Sequence, residues 1–376
     1  MYQQAYASAG QEPTEKQTER LGAIDIVRGL AMIFMLLNHA TWHVPGISFR
    51  VNFGWDVPFP PLPFLNPYMW VGLIQGTPLF FIMAGFAVSL FEYSQRRKGW
   101  TEWQITRFLL IRGGVLIAVD SLVLPWQFYP QPGYEANVYF VLTCIGICLW
   151  FVAFMRLLPL RYLLIIASSL LLGVQIIYES VTLPLDVNLL RTIFLYMSPL
   201  DPINFGFPVL PWLCVILMGY MTMRYLHANP QQFTRVTFAI ALAAGCIWLV
   251  ISDVNQFGVL FPLHPLLMTK HPPSLAYLTF YTTVAYLLLH LLHVYRSVQE
   301  RFPFNRIARL GQTAFIFYIL HFYAIDLFSA LLEPLEMHPF VAVLLITALS
   351  LPLLYVLCTR YRLIRKAYPN SFLKYL

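Results

Sequence analysis

Asp25, Arg28, Gly29 and His39 fall inside one otherwise apolar stretch, Ala23–Trp42. Ionisable groups in such a stretch are costly within a membrane and mark function by default. Arg28 and His39 are eleven positions apart, ~16 Å of helical rise and close to three turns. They therefore share one side of a helix at two depths. A guanidinium forks onto phosphate or carboxylate, and an imidazole is the side chain best suited to general-base work near neutral pH. One helix with both can join a donor held at one end to an acceptor at the other. Plainer readings stand beside this one: Arg28 as an ion-pair partner of Asp25 at i, i+3, and His39 as an interfacial imidazole bonded to a backbone carbonyl.

Asn38 precedes His39, and His43 sits one turn beyond it on a similar face. Asp120, Gln75, Thr77 and Trp212 fall at the same outer depth, with Tyr318 and His321 near the middle of their own segment and Asp326 beyond them. A carboxylate can orient and charge-stabilise a histidine, and the spacing leaves Asp120 and Asp326 both open for that part. Arg107 and Arg112, beside Gly113-Gly114, and Arg309, beside Gly311, are either phosphate forks or simple anchors at the ends of spans. The five cysteines lie within or at the edge of apolar segments, and no metal-ligand spacing is present, so no metal is expected.

The elements that must position these residues are membrane helices. Hydrophobic residues make up 59% of the chain and charged ones 11%, and the mean hydropathy is +0.66, far from a soluble balance. Ten segments are long enough to cross ~30 Å of hydrocarbon: 23–42, 71–91, 106–126, 139–155, 161–178, 206–225, 235–252, 274–296, 308–332 and 339–360. The fold class is thus an all-α polytopic membrane protein, a bundle of about ten transmembrane helices. Arg96, Arg97, Lys98, Arg156, Arg224 and the run from Arg360 to Lys366 fall on one side of that topology, with Arg50, Arg191 and Lys270 on the other. Cytoplasmic loops retain positive charge, so both termini are expected in the cytoplasm. The net +7 is accounted for by topology, and no nucleic-acid partner is expected. Residues 1–22 read as a disordered cytoplasmic leader, 23–360 as the membrane domain and 361–376 as a basic cytoplasmic tail. The proline-rich loops 43–70 and 179–205 face outward, as interfacial packing or as a wall over an acceptor site.

Several motifs together resemble the heparan-alpha-glucosaminide N-acetyltransferase catalytic-domain family, in its bacterial branch. They are Asp25-Ile26-Val27-Arg28-Gly29 through Asn38-His39, Pro78-Leu79-Phe80-Phe81-Ile82-Met83-Ala84-Gly85, Thr106-Arg107 with Arg112-Gly113, Pro211-Trp212, Lys270-His271-Pro272-Pro273-Ser274-Leu275, and Tyr318 with His321. The spacing of Arg28 and His39 is also that of the acyltransferase-3 family in the same wider superfamily. The resemblance implies acyl transfer, expected to be acetyl transfer, from cytoplasmic acetyl-CoA or another acyl-CoA to a sugar or glycan hydroxyl or amine on the outer face. His39 is then the expected base, with His43 as its rival. Arg28, with Asp25, Arg107 and Arg112, would hold the CoA moiety. Asn38, Asp120, Tyr318 and His321 would orient the base or bind the acceptor, and Lys270, His271, Ser274 and Trp212 would contact the acceptor. A bacterial cytoplasmic membrane and a homodimer are the expected setting. An exporter of a small polar or lipid-linked solute is the alternative, although no inverted repeat supports it.

Overall fold

The computed structural model describes residues 15–44, 75–123, 137–180, 189–195, 199–200, 203–256, 270, 272–368 and 371–372. His271 and most of the two proline-rich loops lie outside the described residues. The helices are α1 (Glu15–Ala40), α2 (Thr77–Arg97), α3 (Glu102–Leu122), α4 (Val141–Met155), α5 (Leu160–Ser180), α6 (Leu189–Phe194), α7 (Val209–Ala228), α8 (Phe233–Gln256), α9 (Leu275–Val294), α10 (Phe304–Gly311), α11 (Ala314–Leu332) and α12 (Pro339–Ala367). Three strands, β1 (Asn137–Tyr139), β2 (Pro199–Leu200) and β3 (Ile203–Phe205), form a small sheet in the order β1-β3-β2. The first pairing is parallel and the second antiparallel.

Among the described residues, α1, α2, α5, α7, α8, α9, α11 and α12 are long and apolar enough to cross a membrane. The apolar α4 is shorter, and the 21-residue α3 carries Glu102, Arg107, Arg112 and Asp120. These ten take the places of the ten predicted segments. The chain is an all-α polytopic membrane protein.

Three boundaries depart from expectation. Helix α1 begins at Glu15, inside the stretch read as a disordered leader. Helix α12 runs for 29 residues to Ala367, so the start of the expected basic tail is helical. The segment 308–332 is two helices, α10 and α11, separated at Gln312–Thr313. Beside the break two helix backbones cross closely. A Cβ on Gly311 would meet the carbonyl oxygen of Asp25, and one on Gly29 would meet that of Ile307. Only glycines allow so close an approach.

Helix α1 packs against α2, α9, α10, α11 and α12 and forms the centre of the bundle. Its apolar window is 61% buried and that of α7 is 72%, against 17% for α5 and for α8. Leu164, Ile165, Leu172 and Ile176 on α5 and Phe238, Leu242, Leu249 and Val250 on α8 are exposed, which fits contact with lipid. The start of α1 and the end of α12 meet at the same end of the bundle. There Asp25 Oδ2 accepts from Gln312 Nε2 at 3.0 Å, and Gln312 Oε1 accepts from Arg362 at 3.1 Å.

The same end holds a buried ionic knot that was read only as loop charge. The fully buried Arg156 donates to Glu92 at 3.0 Å and to Glu102 at 2.6 Å. Arg96 pairs with both carboxylates at 2.7 Å, and the Tyr220 hydroxyl donates to Glu92 at 2.6 Å. Helices α2, α3, α4 and α7 are thereby tied together where the apolar core runs out.

Candidate functional site

Arg28 lies at the termini end of α1, half-buried, with its Nη1 donating to the Gly311 carbonyl at 3.3 Å and 3.4 Å from Asp25 Oδ1. It lines a cavity of about 260 Å³. The walls are apolar, from Phe80, Ala84, Val88 and Phe91 on α2, Leu109 and Leu116 on α3, and Leu142, Ile145 and Leu149 on α4. Arg112 of α3 and Arg365 of α12 line it as well, with Tyr361 and the Gly311–Phe315 turn. Among the described residues neither Arg112 nor Arg365 makes an ion pair or hydrogen bond, and the three guanidiniums are close enough to repel one another. Three arginines with one carboxylate at a greasy slot suit an anion carrying an apolar arm. A cavity of that size is below those enclosing a drug-sized ligand, so it accepts one limb of a larger molecule. Of the residues expected here, Arg28, Arg112 and, through its pair with Arg28, Asp25 are brought together. Arg107 is exposed and does not line the cavity. Arg365 was missed because it fell in the stretch read as tail.

At the other end of α1, His39 and His321 meet. His39 Nδ1 is 2.7 Å from His321 Nε2, and His321 Nδ1 lies against the Tyr318 carbonyl. A carbonyl only accepts, so His321 Nδ1 carries the proton and its Nε2 is bare. That bare nitrogen takes the hydrogen bond from His39 Nδ1–H, which leaves His39 Nε2 unprotonated. Phe322 stacks on the His39 ring at 4.9 Å and Trp42 tilts against it at 4.4 Å. His43 is arranged oppositely. Its Nδ1 faces the His39 carbonyl at 3.3 Å and its Nε2 faces Asp326 Oδ1 at 2.9 Å. Both nitrogens point at acceptors, so a His43 making both bonds is an imidazolium with no lone pair to offer. Among the described residues, His39 Nε2 is the free imidazole nitrogen of this trio.

The remaining expected residues are spread around this end. Asp120 is fully buried and accepts from the backbone N–H groups of Phe140 at 2.7 Å and Thr143 at 2.8 Å. It caps the start of α4, while Asp326 is the carboxylate that reaches a histidine. Asn38 is buried, and its carbonyl accepts from Thr41 at 2.6 Å. Ser274 is the N-cap of α9, its hydroxyl accepting from Tyr277 N at 3.2 Å. Trp212 is fully buried in α7 against Phe81, Phe207 and Tyr277. Lys270, 7% exposed, sits over the Phe207 ring with Nζ 5.5 Å from its centroid. Its charge also reaches His39. Among the described residues no group of three or more His, Cys, Asp or Glu side chains is set to hold a metal ion.

The central helix α1 thus carries an arginine-lined slot at one end and a hydrogen-bonded histidine pair at the other. The chain matches the acyltransferase-domain model of the acyltransferase-3 family over residues 21–359 and belongs to that family. It is a membrane acyltransferase. No curated protein matches the chain. The match does not extend to the heparan-alpha-glucosaminide N-acetyltransferase-like family that the motifs resemble. The match supports the wider transmembrane acyltransferase superfamily and, within it, the family that shares the Arg28-to-His39 spacing.

Proposed function

We propose that this protein transfers an acetyl group from acetyl-CoA, bound at the termini end, to a hydroxyl or amine of a saccharide at the opposite end. In this reading both termini are cytoplasmic and the membrane is a bacterial cytoplasmic membrane. The observation that carries it is the cavity: an apolar slot headed by Arg28, Arg112 and Arg365 matches a thioester arm attached to a polyanionic head. The slot admits the arm, and the nucleotide stays outside against the guanidiniums. Between Arg28 and His39 the helix rises ~16 Å, and the extended arm bridges that interval to bring its thioester to the imidazole.

His39 Nε2 removes the proton from the acceptor O–H or N–H as that atom attacks the thioester carbonyl. The C–S bond then breaks, the acyl group remains on the acceptor, and the imidazolium returns its proton to the departing thiolate. His321, fixed by the Tyr318 carbonyl, accepts the His39 Nδ1–H and so holds both tautomer and ring plane. This is the orienting task that a carboxylate performs in other catalytic pairs.

Acetyl-CoA binding to purified protein, followed by calorimetry, tests the reading. Arg112→Ala is a cleaner probe than Arg28→Ala, because Arg28 also ties α1 to Gly311. We expect Arg112→Ala to weaken binding by roughly tenfold or more, the worth of a charge-assisted contact. His39→Ala should bind acetyl-CoA normally and transfer nothing. Absence of acetyl-CoA binding by the well-folded wild-type protein would remove this donor.

A further inference from the structure

Lys270 is an oddity of this end of the bundle. Its side chain is buried, yet among the described residues it makes no ion pair and no hydrogen bond, only the contact with Phe207. A buried cation without a counter-ion is costly. Burial alone pushes its ammonium down to about 8, so the group is still charged at neutral pH.

The surroundings explain what it could be waiting for. Phe207 stacks on Phe81 and leans on Trp212, which in turn meets Tyr277 edge-on. Among the described residues, Trp212 Nε1 and the Tyr277 hydroxyl are both buried with no hydrogen-bond partner. Three polar groups around one aromatic cluster therefore lack acceptors among the described residues, and buried polar groups are rarely left so without a reason. The indole N–H has no other capacity than to donate, and the ammonium none but to donate and to neutralise. A group that suits all three is an acceptor carrying negative charge. Lys270 is also close enough to His39 for the two charges to interact, which places the cluster beside the reacting end of α1.

We propose that Lys270, Trp212 and Tyr277 form a subsite for a carboxylate carried by one of the two reactants. This rests on the transfer reading above and narrows it, since one partner in the reaction is then anionic near its reacting group. The carboxylate has two possible bearers, a dicarboxylic acyl group on the donor or an acidic sugar as acceptor.

Calorimetry with two matched pairs of probes separates them: succinyl-CoA against acetyl-CoA, and glucuronate against glucose. In the wild-type protein one pair should show a preference of about tenfold or more for the charged member. Lys270→Met, close to lysine in shape, should abolish that preference while binding the neutral member of the pair as before, which also reports that it is folded. A preference for succinyl-CoA assigns the carboxylate to the donor, and a preference for glucuronate assigns it to the acceptor. No preference in either pair, or a preference that survives in Lys270→Met, overturns the subsite. Failure of both thioesters to bind counts against the transfer reading instead, and the glucuronate pair then decides the role of Lys270 alone.

Discussion

His39 and His43 lie one turn apart, and their partners give them opposite chemistry. His43 faces a carbonyl and a carboxylate, whereas the chain from the Tyr318 carbonyl through His321 leaves His39 with a bare Nε2. His321→Ala should therefore lower transfer by 10²–10⁴-fold, the usual worth of a positioned base, and His321→Gln should recover part of it by accepting the same hydrogen bond. Donor binding should be unchanged in both, and a matching loss of acetyl-CoA affinity would mean that His321 acts on the fold. Lys270 yields a second expectation. In the folded protein its pKa is about 8 and in the unfolded chain it has the ordinary value of 10.5. Between those values the unfolded chain holds more protons, so raising the pH through this window stabilises the fold, and the burial penalty is complete below it. Lys270→Met should unfold at a higher temperature than wild type at pH 7, with the gap narrowing from pH 8 toward 10.5. Thermal unfolding of the two proteins across that range reads this directly.

Among the elements, the break between α10 and α11 matters most for the site. Gly311 sits against the Asp25 carbonyl while its own carbonyl takes Arg28, so one glycine closes the helix crossing and helps floor the cavity. Gly311→Ala should push α10 off α1, cost about 1–3 kcal/mol as overpacking does, and weaken acetyl-CoA binding; chemical unfolding and calorimetry on the one variant check both. The ten segments and the pairing of Arg28 with His39 on one helix were legible because apolar run length and a 3.6-residue period are local signals. The division of 308–332 was not, since it falls beside the contact of Gly311 with α1, almost three hundred residues away. For the same reason the choice between Asp120 and Asp326 stayed open. Both are lone acids in apolar segments, and only packing shows that one caps α4 and the other meets His43. Arg365 escaped notice because a basic run after the last span is read as anchoring, and nothing local says that its helix continues.

Across the whole molecule, α12 is longer than the membrane it crosses. Twenty-nine residues extend ~43 Å, against ~30 Å of hydrocarbon, so the last two turns stand clear of the lipid tails. Arg365 is on that overhang, exposed, at the rim of the cavity. At the far end His321 and Phe322 are buried and His39 is half-buried. The two ends of the proposed transfer thus differ in their exposure to mobile ions. Mobile ions reach the guanidinium at the rim, where the screening length is ~8 Å at physiological ionic strength and ~3 Å at 1 M, and meet less of the half-buried His39. Added potassium chloride should therefore raise KM for the donor steeply while leaving kcat almost level, and the Arg365→Gln protein should lose part of that sensitivity. On the transfer proposed above, the protein takes up donor less readily as salt rises at its termini end, while the step at His39 stays level.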